Sequence, residues 1–246
     1  MQQIISSLAD KHGLTRAEIM AEIEDVFAAQ LSQWYRLPVM AFFREDLRLE
    51  AVAYNNSGGV IMQRLVDLSE IRGRGTLRRQ LMTNLAKAAV IKQAVRYKCF
   101  ERELLWGKVV ACDPEQALYV ETEVIPGERV TAICPVNRIG IHERHAGGFA
   151  IGNTRAFHLR RVEMVILHDT PRLKVVVDRV SKTLVENLLR NQLGSAGDTV
   201  KLRCVKRYVG HKSLVLTTKR LPKAAIIAVD NELKERLQVQ VVDSLP

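Results

Sequence analysis

An α+β protein built from several domains is what this 246-residue sequence predicts, and three observations predict it. Apolar residues recur at three- and four-residue spacing near the start, short β-patterned runs fill the middle, and an α-β-β-α-β alternation closes the chain. The length exceeds that of one ordinary domain. A hydrophobic fraction of 47% is enough for packed cores, while 5% aromatic residues leave few rings for binding surfaces.

The first helix signal is Thr15-Arg16-Ala17-Glu18, a capping box in which hydroxyl and carboxylate each satisfy a free backbone N–H. Ile19, Ile23, Val26, Phe27, Leu31 and Trp34 then mark an apolar face, Glu22, Glu24 and Asp25 fall off it, and Pro38 ends the helix. Residues 39–54 carry β-formers, Asn55-Asn56-Ser57-Gly58-Gly59 is a turn, and 60–68 reads as the return strand of a hairpin. From Thr76 a long linking helix is expected, with Leu77, Leu81, Leu85, Ala88, Val95 and Cys99 on one face and Arg78, Arg79, Lys87, Lys92 and Arg96 around it. Five short strands follow, at 107–111, 117–123, 129–133, 154–167 and 172–177, punctuated by Asp113-Pro114, Pro126-Gly127 and Gly147-Gly148. That number and spacing fit a small closed barrel of the OB kind. A helix carrying Leu184, Leu188 and Leu189, strands at 199–208 and 212–218, a helix at 222–237 and a strand at 238–242 complete the chain.

Charge is polar along the sequence. Residues 1–71 hold six Lys and Arg against ten Asp and Glu, a net −4, so the rest of this +10 chain carries +14. A head of one sign on a body of the other implies two partners, the basic one contacting a polyanion. The cysteines Cys99, Cys112, Cys134 and Cys204 are scattered without a CxxC pair, so free, mostly buried thiols in a reducing cytoplasm are expected. Neither a secretory leader nor an apolar run long enough to span a membrane is evident, so no membrane partner is expected.

Four stretches carry a resemblance. LTRAEIMAEIEDVFAAQLSQWY (14–35) looks like the helix opening the polymerase-binding head of the NusA transcription factors, and ERELLWGKVVACDPEQALYVETE (101–123) is similar to the entry into their RNA-binding S-one-type barrel. KVVVDRVSKTLVENLLRNQL (174–193) and RYVGHKSLVL (207–216) resemble the barrel-to-KH junction and a strand turn of the first KH domain. The resemblance implies a head at 1–104 that binds RNA polymerase, an OB barrel at 105–170, and a type II KH-like domain at 171–246, with nascent single-stranded RNA and other elongation factors as further partners. It also implies modulation of pausing, termination or antitermination by a monomeric, cytoplasmic, non-enzymatic protein. The alternative is a stand-alone RNA-binding regulator, of a mobile element for instance, that does not contact polymerase. Two departures matter. The KH clamp motif GXXG is missing, because Lys219-Arg220-Leu221-Pro222 runs straight into the last helix. The sequence given also ends at Pro246 without a second KH unit, which implies a weaker RNA grip.

Residues 171–223 contain thirteen Lys and Arg against three Asp and Glu, the densest positive charge in the chain. Candidate nucleic-acid contacts there are Arg203, Lys206, Arg207, His211, Lys212, Lys219, Arg220 and Lys223. In the barrel they are Arg138, His142, Arg144, His145, Arg155, His158 and Arg160, with Arg161 beside them and Tyr119, Phe149 and Phe157 as rings for stacking. The Arg72-Gly73-Arg74-Gly75 turn reads equally as a nucleic-acid loop and as a solvated helix start. In the head, Glu18, Glu22 and Asp25 are the candidate polymerase contacts. His142, His145 and Cys134 are too dispersed for a zinc site. No P-loop, nucleophile elbow or paired histidine-carboxylate motif occurs, so neither catalysis nor a cofactor is expected.

Overall fold

A computed structural model describes residues 2–67, 73–144 and 148–245, apart from the side chains of residues 196 and 198. The chain is α+β with mixed sheets, and it forms two compact units: Met1–Gln93 with Met164–Arg172, and Ala94–Glu163 with Leu173–Pro246. Among the described residues no helix is long and apolar enough to cross a membrane.

In the first unit, α1 (Gln2–His12) and α2 (Arg16–Tyr35) precede a three-stranded antiparallel sheet of β1 (Val39–Phe43), β2 (Leu49–Tyr54) and β3 (Val60–Leu65). The expected hairpin is thus a three-stranded meander. Residues 39–54 break in the middle because Leu47 takes a left-handed backbone (φ 60°), Leu47 N–H donates to Arg44 O and Arg44 N–H to Arg48 O. A leucine in that conformation leaves no turn signature in sequence. Helix α2 starts on the expected capping box and buries Ile19, Ile23, Val26 and Leu31, whereas Trp34 stays 41% exposed. Helix α3 (Arg74–Lys98) contributes to both units. Leu85 is buried as expected, but Val95 and Cys99 are exposed while Ala94 and Tyr97 are buried. One apolar stripe does not describe a helix that serves two cores.

Glu18 holds the head together from two sides: its Oε2 accepts from Thr15 N–H at 2.6 Å and from Lys92 Nζ of α3 at 2.8 Å. The Lys92 hydrogen bond, then the Thr15 N–H, pull its carboxyl down to about 2 from 4.5. A folded-state value below the unfolded one stabilises above the unfolded pKa and is lost as pH falls through the folded one. Glu18→Gln is therefore expected to lower the melting temperature at neutral pH. Melts on acidification should show the two proteins converging between about pH 4.5 and 2.

The second unit contains β4 (Leu104–Cys112), β5 (Leu118–Ile125), β6 (Glu128–Cys134) and the greater part of β7 (Thr154–Leu167) and β8 (Thr170–Asp178), closed into a barrel in the order β4-β5-β6-β8-β7. All five strands lie within a few residues of the expected positions. Strand β4 pairs antiparallel with β5 and with β7, β5 pairs antiparallel with β6, and β6 lies parallel to β8 in a register that sets Ala132 against Val175. The barrel fills with Val109, Val120, Ala132, Leu159 and Val177, each at most 1% exposed. Gly107 permits the closure of β4 on β5, since a Cβ there would stand 2.2 Å from Val120 Cγ1.

A four-residue helix, α4 (Ile141–Arg144), leads out of β6, and after the barrel come α5 (Lys182–Leu193), β9 (Leu202–Tyr208), β10 (Lys212–Thr217), α6 (Lys223–Leu233) and β11 (Arg236–Val241). Ser181 caps α5 by accepting from Leu184 N–H. Leu184, Leu188 and Leu189 of α5 pack with Val229 and Leu233 of α6 on the sheet, each buried side chain contributing about 1.5–3 kcal/mol. Helix α6 is shorter than expected, because Lys234 turns left-handed (φ 53°) and β11 begins at once. Of the cysteines, expected to be mostly buried, Cys134 and Cys204 are buried and Cys99 and Cys112 are exposed.

Candidate nucleic-acid interface

The α6 crossover lays β11 parallel to β10, and β9 pairs antiparallel on the other side, giving the order β11-β10-β9. One face buries Leu202, Cys204, Val215 and Leu237 against α5 and α6. The other face is set by the register. Tyr208, Lys212 and Arg236 form one cross-strand row, Lys206, Leu214 and Gln238 the next, and Arg203, Leu216 and Gln240 the third. Four cations, one ring and no carboxylate occupy those nine positions.

A β-bulge makes this possible. Strict alternation puts residues 203 and 206 on opposite faces, but the register shifts at Val205, so both side chains emerge on the outer side. Arg203, Lys206, Lys212 and Arg236 are all exposed. Tyr208 is 47% exposed, and Lys206 Nζ sits 5.1 Å from its ring centroid. The Tyr208 phenol raises the Lys206 pKa, so the charge is secure at neutral pH. Ring and ammonium together place a half-exposed aromatic face beside a fixed positive charge.

Cations continue past both ends of the sheet. His211 and Lys212 lie at the β9–β10 turn beside Arg236, whose N–H donates to His211 O. At the far end Thr218 N–H donates to Lys201 O, next to exposed Lys219, Arg220 and Lys223. The connection from β10 to α6 has no glycine; Leu221 is buried and the Thr217 hydroxyl donates to Lys219 O. That connection presents side-chain charge at its surface in place of bare glycine backbone.

Arg207 and several barrel candidates are bonded to buried carboxylates or to carbonyls. Arg207 neighbours Lys206 in sequence but points inward, 2% exposed, with Nε and Nη2 on the Glu235 carboxylate at 3.0 and 2.8 Å. Burial alone would raise the Glu235 carboxyl; Arg207, Gly210 N–H and the Ser213 hydroxyl outweigh it and leave it below its ordinary value. His158 is buried with Nδ1 3.4 Å from Asp178, and Arg160, 40% exposed, reaches the same carboxylate. Burial pushes the Asp178 carboxyl up, but His158 and the Ser181 N–H carry it below the ordinary range. Arg144 donates to Val136 O and Ile139 O, and Arg155 to Gly148 O and Glu232. His142 Nε2 meets Leu233 O at 3.0 Å, and its ring leaves no room for a Cβ on Gly210 (φ +80°). Arg138 is half-buried, its carbonyl accepting from Arg179 N–H.

Of these barrel groups Arg155 and His142 reach α6, while His158 and Arg160 bond Asp178 of the barrel itself and Arg144 bonds the segment after β6. Of the barrel rings, Phe157 is core, Phe149 packs against it, and Tyr119 is 36% exposed. His145 and Arg72 lie outside the described residues. Among the described residues no three metal-ligating side chains cluster.

In the head, Glu18 pairs with Lys92, and Glu22 is partly desolvated, which with Asp25 raises its pKa while Lys87 opposes the rise. Those two acids face the lysines of α3, and only Asp25 is exposed. More open is the outer side of the β1-β2-β3 sheet, where Met40 (59%), Phe42 (36%) and Leu65 (42%) surround Glu50 and Val52. Sequence reading missed this face, where exposed apolar side chains stand around a Glu50 carboxylate bonded to Arg44 and Gln63, and it missed Tyr208 and Arg236. Arg236 had a signal only in the break after Leu233, because a helix drawn through to Leu237 conceals it. Compared with known proteins, the chain matches no family model and no curated relative.

Proposed function

We propose that this chain binds single-stranded nucleic acid on the outer face of the β9–β10–β11 sheet and acts as a transcription factor of the NusA type. The observation that carries the reading is the bulged register that gathers Arg203, Lys206, Lys212 and Arg236 around Tyr208 on one acid-free face. In this reading the closed barrel is an OB barrel of the S-one type, and the α-β-β-α-β segment is a type II KH-like domain that grips by charge in place of the GXXG clamp. The first unit docks on RNA polymerase, and its apolar outer sheet, with Met40, Phe42 and Leu65 exposed, supports a protein-binding role better than its neutralised acids do.

The test is a purified transcription reaction supplied with the full chain. The expected result is altered pausing or termination, together with co-sedimentation of the protein with polymerase and binding of short single-stranded RNA. RNA binding without either polymerase effect would reduce the protein to the stand-alone regulator, and absence of RNA binding would overturn the reading altogether.

A further inference from the structure

A second feature of the nucleic-acid-binding unit lies where the barrel meets α5 and α6. Trp106 is on β4 at an outward position of the barrel, 44% exposed, and its neighbour in register on β7 is Ala156, which belongs to the core beneath α5 and α6. Beside it opens a cavity of about 360 Å³, with Leu188 and Val229 for a floor. That is the small end of the ligand-pocket range, sized for one heterocycle. The walls carry Gln192, Asn231, Arg155, Glu232 and Lys234.

We propose that this cavity takes one nucleobase of a bound strand, stacked on the Trp106 indole. The inference rests on the nucleic-acid reading above and names a base-accepting subsite distinct from the phosphate-binding sheet face. An indole is a broad stacking surface for any base. The Gln192 and Asn231 carboxamides each offer a donor pair and an acceptor, the complement of a base edge. Both side chains are exposed and make no hydrogen bond with the described residues. Glu232 does not repel the strand's charge, because Arg179 and Arg155 both pair with its carboxylate. Lys234, in the left-handed turn closing α6, stands exposed at the pocket for the adjoining phosphate.

Only two tryptophans occur in the chain, so Trp34→Phe leaves Trp106 as the sole indole reporter. In that background a short single-stranded RNA of mixed sequence is expected to quench Trp106 fluorescence as it binds. Measured by anisotropy, Trp106→Ala should weaken the strand about tenfold or more, the range of one lost base stack, while Trp106→Phe retains most of the affinity. Gln192→Ala and Asn231→Ala change exposed helix positions and serve as variants that keep the fold; they should weaken binding at every salt concentration without altering its slope. Mononucleotides form the second arm. Quenching by a mononucleotide at the strand's own concentration, with no quenching by the strand, would assign the pocket to a free nucleotide and overturn the proposal. A strand that binds with its salt dependence intact while the indole signal and Trp106→Ala affinity stay unchanged would overturn it too, leaving the sheet-face reading standing. Failure of any strand to bind at low salt would remove the sheet-face reading itself.

Discussion

Replacing Arg179 by methionine is expected to destabilise the second unit by about 3–5 kcal/mol, the cost of leaving buried carboxylates without their counter-charge. The Arg179 side chain is 1% exposed and follows directly on β8. Its guanidinium donates to the Glu143 carboxylate of α4, to Ala156 O of β7, and to both the carboxylate and the carbonyl of Glu232 on α6. Phe149 and Phe157 lie 5.3 and 5.7 Å from its Cζ, so the charge is walled by rings as well as paired. One side chain thereby ties the barrel to the last turn of α6, whose Glu232 carbonyl it caps at 3.0 Å. Denaturant titration checks the loss. Adding Glu143→Gln and Glu232→Gln to Arg179→Met should recover part of it, because the penalty arises from stranded charge. If the triple variant is as unstable as the single one, the effect is packing rather than electrostatics.

Arg179 also shows where a sequence stops being informative. Regular elements were legible because local chemistry marks them: the Thr15–Glu18 box opens α2, and the spacing of Leu184, Leu188 and Leu189 marks the buried face of α5. The five barrel strands were legible from short β-patterned runs between turns. Partnerships were not. Counting charge in residues 171–223 treats Arg179, Lys206 and Arg207 alike, yet Arg179 and Arg207 are buried on carboxylates and Lys206 is on the open face. Their partners, Glu143, Glu232 and Glu235, lie 28 to 53 residues away, beyond the reach of any local pattern. The bulge at Val205 defeats alternation in the same way, since it is a property of a strand pair. In the head, the lysines that neutralise Glu18 and Glu22 come from α3, so an acidic count over residues 1–71 overstates the free negative charge.

Converting Arg203, Lys206, Lys212 and Arg236 together to glutamine should abolish most of the affinity for single-stranded nucleic acid. Each neutralised phosphate contributes about 0.7 to the slope of log affinity against log salt, so four lost contacts should flatten that slope by about three. At about 0.1 M salt the same loss amounts to several-hundredfold weaker binding. These side chains are exposed on a face whose opposite side carries the packing, so the melting temperature should barely change. Arg207→Gln provides the converse. It strands Glu235, whose side chain is 0% exposed, so the melting temperature should fall while the salt slope of the remaining folded protein stays as it was. The pair of outcomes separates the two faces of one sheet. A slope that responds to Arg207 and not to its outward neighbours would mean that the strand enters from the helical side, and the sheet-face site would have to be abandoned. A slope lowered by about 0.7 for each of the four single variants would place four phosphates along the three cross-strand rows.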